Sequence, residues 1–364
     1  MAAPHIPGSE QSPASPGTSN PSPSEAPSNN TNNDLASNTG SFGTSSASNS
    51  GFSGMIGDLT SGFSTSAFGN VAIAGGDLRA KIADNTSPRP TDRAFFNYNY
   101  FNRPLTAADG LKKDLNRFQF GMERTFLDEE ASLEFRIPFE SGLAATQFFG
   151  GPTPDSRDVG VTFGNVSLTP KFVLYDCCDL LISTGLEIQL PTAANSVTRN
   201  TVGLPLLTLE NQSVNLEPFV GALWTPSPQF FSIAYLQFDF DAGRIHAIDN
   251  VGGGTFDIQQ QTLMYFDINF GYWFYEDPCA DCVRGIAAVL ELHNTTAISK
   301  ADQPVGSPFA GGGSIPNNIL DLTAGLDFKI GTNSILTVAG GVPLGNANNR
   351  TFNSEFILQL NYLR

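Results

Sequence analysis

Apolar and polar residues alternate one by one from residue 93 onwards, in short runs separated by stretches rich in glycine, proline and asparagine. The run 264–274 is typical, because apolar side chains at the even positions alternate with Asp267, Asn269 and Gly271. A period of two puts successive side chains on opposite faces of a β-strand. Twelve such runs follow one another, so the sequence predicts an all-β protein with twelve strands.

The stretches between these runs alternate in length. The long ones are 139–159, 191–211, 241–260 and 297–315, and the shortest are 176–179 and 226–228. This alternation predicts that all long loops lie on one rim and all tight turns on the other. Bacterial outer-membrane β-barrels have this form and an even number of strands, whereas a Greek-key sandwich has no reason to show it.

Composition restricts the class of protein further. Charged residues make up 15% of the chain, and the 29 phenylalanines outnumber the 19 lysines and arginines. No stretch of about 18 apolar residues is present, which excludes a transmembrane helix and leaves a soluble β-sandwich or a membrane barrel. The predicted fold is a twelve-stranded antiparallel transmembrane β-barrel with a disordered N-terminal tail. Its aromatic girdle at the membrane interface is predicted at Tyr175, Trp224, Tyr272, Tyr275 and Tyr362.

The N-terminal part of the chain has a different character. Residues 1–50 are of low complexity and predict a disordered tail, because so few apolar residues cannot offset the chain entropy of folding. Residues 51–92 are predicted to be a linker or a plug segment, and residues 93–364 the barrel. The start MAAPHIPGSE shows no signal peptide, so the predicted bacterial outer-membrane location rests on the barrel pattern.

Four segments also carry a family resemblance. SPRPTDRAFFNYNYFN (87–102), FGMERTFLDEEASLEFRIPF (120–139), GNVSLTPKFVLY (164–175) and GLEIQLPT (185–192) resemble a family of planctomycete outer-membrane β-barrels. That family is related to the transporter-like barrels assigned to the MetA pathway of phenol degradation. The resemblance covers about residues 80–364 and implies an outer-membrane channel or transporter. It implies no binding residues, and the C-terminal Tyr362-Leu363-Arg364 departs from the aromatic ending common in such barrels.

The strand face opposite the apolar one is predicted to line the lumen. Nine of its charged positions are carboxylates and three are permanent bases, which favours cations in a water-filled pore. The alternative is a lumen closed by ion pairs and a plug, since several of these charges lie on neighbouring strands. The candidate lumen-lining residues are Arg117, Glu123, Glu134, Arg136, Lys171, Glu187, Glu217, Asp239, Asp267, Glu291, His293, Asp321 and Asp327.

The sequence gives only weak signals for disulfides, metal binding or catalysis. Four cysteines form two close pairs, Cys177-Cys178 and Cys279-x-x-Cys282, which predict local disulfides in an oxidising periplasm rather than a metal site. No nucleophile system is placed for catalysis, so we expect no enzyme activity, no metal and no cofactor. The net charge of −16 argues against a nucleic-acid partner.

Two functions remain open at this point. The first is an outer-membrane channel or transporter that passes small solutes or ions, with a preference for cations in an acidic lumen. The second is a structural or surface-display barrel with a blocked lumen. In both cases the expected partners are outer-membrane lipid and, through the N-terminal tail, periplasmic material.

Overall fold

The computed structural model is a closed antiparallel β-barrel. It describes residues 54–58, 60–61, 78–106, 112–141, 146–149, 161–200, 202–300, 318–346 and 349–364. The predicted disordered tail, residues 1–50, lies outside the described residues. No helix in the described part of the chain is long and apolar enough to cross a membrane.

Twelve strands form the barrel, which confirms the predicted fold. Each strand pairs antiparallel with its neighbours in sequence, and β12 pairs with β1 (Leu358 opposite Tyr98), so the sheet closes on itself. The strands are β1 (Arg93–Thr106), β2 (Lys112–Phe126), β3 (Ala131–Ser141), β4 (Val166–Cys177), β5 (Leu180–Leu190), β6 (Asn215–Trp224), β7 (Phe230–Asp241), β8 (Leu263–Glu276), β9 (Val283–Ala297), β10 (Asn318–Ile330), β11 (Ser334–Pro343) and β12 (Ser354–Leu363).

The two rims of the barrel differ as the sequence predicts. One end, called the turn rim, carries the short connections 127–130, 178–179, 225–229, 277–282 and 331–333 and both ends of the barrel sequence. The other end, called the loop rim, carries the long connections. Some of these form a small sheet of their own, with Leu207, Leu209, Ile245, Ala247 and Ile258 as its apolar cluster. Its strands are Thr146–Phe149, Ser196–Asn200, Pro205–Glu210, Ile245–Asp249 and Gly254–Ile258.

Side chains alternate between the two faces of the barrel. On β8, Phe266 and Phe270 are 47% and 45% exposed on the outside, whereas Asp267 and Asn269 between them are fully buried inside. Leu236 and Leu290 on the two neighbouring strands are likewise exposed. A soluble protein buries such residues, so an apolar outer face around a polar interior is the arrangement of a membrane barrel.

The interior is filled by an N-terminal segment of the same chain, called the plug and defined as residues 54–58 and 78–89. The plug doubles back on itself, because Thr60 pairs with Arg79 and the Met55 N–H donates to the Thr86 carbonyl over 2.9 Å. Nearly all of its described side chains are buried. Residues 54–58 and 79–88 therefore lie inside the barrel.

Candidate functional site

The plug is held by side chains of the barrel wall that bind its backbone. The Glu291 carboxylate accepts the N–H groups of Ile56 and Gly57, each over 2.8 Å. The Gln237 amide oxygen accepts the Ile82 N–H, also over 2.8 Å. Most of the plug has no strand partner, so its backbone N–H groups need acceptors from outside the plug. The polar wall supplies them. The polar lumen therefore serves here as a binding surface for the plug.

Arg79 carries one of the two buried positive charges of the plug, whose third cation, Arg89, is partly exposed at the turn rim. Its Nη1 donates to Asp239 Oδ2 over 2.6 Å and to the Gln261 carbonyl over 3.1 Å. Its Nη2 donates to Gln260 Oε1 over 2.5 Å. The Tyr265 hydroxyl donates to the same Asp239 oxygen over 3.2 Å. The guanidinium is thus enclosed by acceptors near the loop rim.

Lys81 carries the other buried positive charge of the plug, two residues further on. Its ammonium donates to Asp58 Oδ1 over 2.6 Å and lies 3.9 Å from Asp267 Oδ1. The ring of Tyr265 lies 5.0 Å from the nitrogen, within the range of a cation–π contact. The same tyrosine therefore stands beside both plug cations.

His293 joins this second group of charges. Its Nδ1 lies 2.9 Å from Asp267 Oδ1 and 3.4 Å from Asp58 Oδ1, and its Nε2 lies 3.2 Å from Glu291 Oε2. The ligand atoms of Asp58, Asp267 and His293 all lie within 4.8 Å of one another, a carboxylate and imidazole set that could also hold a metal ion. Lys81 already provides a cation at this place. We therefore interpret the group as an ion-pair cluster that joins plug and wall.

An ion-pair network of three bases and two carboxylates covers the wall of β1 to β4. Arg93 Nε lies 2.9 Å from Glu123, and its Nη2 lies 2.6 Å from Glu134. Arg136 pairs with Glu134, and Lys171 Nζ lies 2.9 Å from Glu123. On this side of the lumen these charges pair with one another, as the ion-pair alternative expects.

The bases of this network also reach the plug. Arg117 does not pair with a wall carboxylate as that alternative supposes, but with Asp84 of the plug, over 2.8 Å. Lys171 Nζ donates to the Ser87 carbonyl over 2.6 Å. The plug therefore completes the network on this wall as well.

The wall of β5 to β10 is acidic. Its interior carries eight buried carboxylates, and His293 is the one buried base among its described residues. Glu187 and Glu217 face each other directly across β5 and β6, and neither forms an ion pair among the described residues. The eight are Glu187, Glu217, Asp239, Asp241, Asp267, Glu291, Asp321 and Asp327.

Near the turn rim, the side of the lumen formed by β7 and β8 is apolar. Phe231, Tyr235 and Trp273 form one buried cluster with Met55 and Ile82 of the plug. The aromatic side chains of this wall pack against the plug, so the lumen is closed here by apolar contact.

All thirteen predicted lumen-lining side chains lie on the interior face and are 3% exposed or less. Whether they line a conducting path stays a prediction. Sequence reasoning missed Arg93 and the charged plug residues Asp58, Arg79 and Lys81. A weak signal exists, since Arg79 and Lys81 alternate with Ala80 and Ile82, which is a strand pattern.

The five predicted girdle aromatics are all exposed on the outer face of the barrel, near the turn rim. Cys177, Cys178, Cys279 and Cys282 are all exposed and not bonded to one another in the structure, and the local disulfides stay a prediction. The Sγ atoms of Cys177 and Cys178 lie 3.3 Å apart, and a bonded pair needs about 2.05 Å. Adjacent Cα atoms are about 3.8 Å apart, closer than the spacing that disulfides prefer, so local geometry opposes the bond.

The sequence matches no protein-family model and no curated protein. Solved structures do match. An outer membrane channel from Pseudomonas putida F1 covers 77% of this chain and 97% of its own, with 10% identity and a TM-score of 0.52. The KdgM porin covers 74% of this chain and 99% of its own, with 8% identity and a TM-score of 0.42. The first likeness shows that the chain has the fold of an outer-membrane β-barrel. The planctomycete family resemblance stays a prediction.

Proposed function

We propose that this protein is an outer-membrane channel or transporter for small solutes, and that its plug holds the lumen closed. The apolar outer face and the exposed girdle, which includes Trp224 and Tyr272, support insertion into the bacterial outer membrane. No enzyme activity is part of the proposal.

The observation that carries the proposal is the way in which the plug is bound. In the loop-side half of the lumen, the plug is held by individual hydrogen bonds and ion pairs to Glu291, Gln237 and Asp239. Water and solute can replace such contacts one by one when the segment moves. A barrel whose interior is only a structural core has no need of so many paired charges, because burying charge is costly.

The acidic wall of β5 to β10 supports a preference for cations. Fixed carboxylates lower the energy of a cation in a confined pore and raise that of an anion. Glu187 and Glu217 are the best candidates for this effect, because no ion pair neutralises them among the described residues.

The alternative is a structural or surface-display barrel with a blocked lumen. The complete burial of Ile56 and Ile82 inside the barrel favours it, since these apolar plug residues share one buried cluster with Phe231, Tyr235 and Trp273 of the wall.

Planar-bilayer recording of the full chain tests both functions. We expect long closed periods with discrete openings, and a reversal potential in a KCl gradient that shows cation preference. Glu187→Gln together with Glu217→Gln should weaken this preference, whereas the exposed turn-rim change Glu276→Gln should not. If the correctly folded protein shows no conductance, the structural barrel is favoured. A preference for anions would contradict the proposal that the acidic lumen selects cations.

A further inference from the structure

The buried positive charges of the barrel are unevenly distributed. Among the described wall residues, the buried arginines and lysines, Arg93, Arg117, Arg136 and Lys171, all lie on β1 to β4. Among the described residues of β5 to β10 no arginine or lysine is buried, and His293, beside Asp267 and Glu291, is the buried base of this wall. The plug brings the missing cations, because Arg79 pairs with Asp239, and Lys81 lies close to Asp267.

The two plug cations occupy sites that are built to hold cations. The Arg79 site offers the Asp239 carboxylate, the Gln260 amide oxygen and the Gln261 carbonyl. On the wall, the Lys81 site offers the Asp267 carboxylate, 3.9 Å from the ammonium, and the face of Tyr265, whereas the closer carboxylate, Asp58, belongs to the plug. A carboxylate combined with an aromatic ring is a common recognition pattern for organic ammonium groups.

The spacing of the two sites sets the shape of a matching ligand. Arg79 and Lys81 are two residues apart, which is at most about 7 Å along the backbone. Both lie beside Tyr265, since its hydroxyl shares Asp239 with Arg79 and its ring lies 5.0 Å from the Lys81 nitrogen. A linear molecule with a positive group at each end reproduces this pattern. A monovalent amine can fill only one site, and a small inorganic cation cannot reach both.

We propose that these two sites bind linear organic dications, such as aliphatic diamines, and that these solutes compete with Arg79 and Lys81 for the wall carboxylates. The proposal rests on the proposed function, since it names the solute class of the same lumen. Withdrawal of the plug without replacement costs the ion pairs of Arg79 with Asp239 and of Lys81 with Asp267, even when water enters the lumen. A dication that replaces both plug charges removes this cost, so its binding favours the released plug by mass action.

The test measures exposure of the plug in the full chain. A single cysteine is placed by Ala83→Cys, at a fully buried plug position, after the four native cysteines are changed to serine. The rate of labelling by a neutral maleimide then reports plug release. Cadaverine at ten times its dissociation constant should raise this rate by up to about tenfold over NaCl of equal ionic strength. Ethylammonium chloride and MgCl₂ should have much less effect.

Two variants serve as test and control. Arg79→Gln with Lys81→Gln should label faster without any ligand and respond less to cadaverine, because the plug no longer competes with it. Arg89→Gln removes a plug ion pair with Asp176 at the exposed turn rim, so it should behave like the parent protein. Equal acceleration by MgCl₂, or an unchanged cadaverine response in the double variant, would overturn the proposal.

Bilayer recording separates this proposal from the proposed function. If the protein conducts but its labelling rate does not respond to cadaverine, the proposal of dication sites is contradicted and the channel proposal stands. If the labelling rate responds to cadaverine but the protein never conducts, the proposal of dication sites stands and the channel proposal is contradicted.

Discussion

Interior glycines make room for the large aromatic side chains of the neighbouring strands. A Cβ added at Gly271 would lie 2.0 Å from the Phe231 ring, and one at Gly221 would lie 2.4 Å from the Tyr235 ring. Both pairs are directly opposite each other in the strand register. The ring therefore lies flat over the glycine, and the wall keeps the space that the plug fills.

Gly271→Ala tests this packing. The new methyl group overlaps the Phe231 ring, so we expect the free energy of unfolding to fall by about 1–3 kcal/mol, the usual cost of overpacking. Gly340→Ala is the matched control, because its nearest atom would be 3.4 Å away. Urea unfolding in micelles gives both values, and equal losses would contradict the packing interpretation.

Glu291 is the wall residue that binds the plug backbone most directly. Glu291→Gln keeps the shape but points an N–H₂ group at one of the two plug N–H groups, so we expect a loss of about 1.5–3 kcal/mol in plug binding. Bilayer recordings should then show more frequent openings. The control is Glu355→Gln, whose carboxylate accepts from Asn99 of the wall. A variant that opens no more often than this control would show that Glu291 does not retain the plug.

At the scale of the strand, alternation assigns each side chain to lipid or to the lumen. The outer face tolerates only apolar groups at mid-strand, because lipid cannot solvate a charge. The inner face is no more permissive. Gln237, for example, accepts the Ile82 N–H and donates to Glu217 over 2.6 Å. Contacts with the plug therefore make interior positions sensitive to substitution as well.

Phe270→Arg tests the outer face of β8. Phe270 is 45% exposed near the middle of its strand, so an arginine there should destabilise the barrel by about 2–4 kcal/mol. Met264→Arg lies on the same face of the same strand near the loop rim and should cost about 1 kcal/mol or less. Heat-modifiable migration and urea unfolding measure the loss of stability in each variant. Equal losses would contradict a membrane midplane close to Phe270.

For the whole molecule, the two rims imply opposite sides of the membrane. Long loops of outer-membrane barrels face the outside, and short turns face the periplasm. The described loop rim carries Val202, which is 78% exposed, and the turn rim carries the thiols of Cys177 and Cys279.

Labelling of intact cells tests this orientation. A membrane-impermeant maleimide should leave the native turn-rim cysteines unlabelled until the outer membrane is opened. Val202→Cys in a background without native cysteines should be labelled at once, because it lies on the loop rim. Labelling of Cys177 on intact cells would reverse the orientation.

The sequence by itself determined the barrel, because its signals are local. Alternation within each run fixes which side chains share a face, and the lengths of consecutive connections fix which strand ends share a rim. Asp267 and Phe266 could therefore be assigned to opposite faces without knowledge of any contact between strands.

Only the tertiary structure decided what those inward charges bind. Alternation cannot say whether a buried carboxylate meets water, a solute, a neighbouring base or another segment. The contact between Glu291 and Ile56 joins residues 235 positions apart, and the plug sequence carries too weak a period to predict its path. The lumen is filled because the barrel closes around this segment and places polar acceptors along it, and that arrangement exists only once the strands have met.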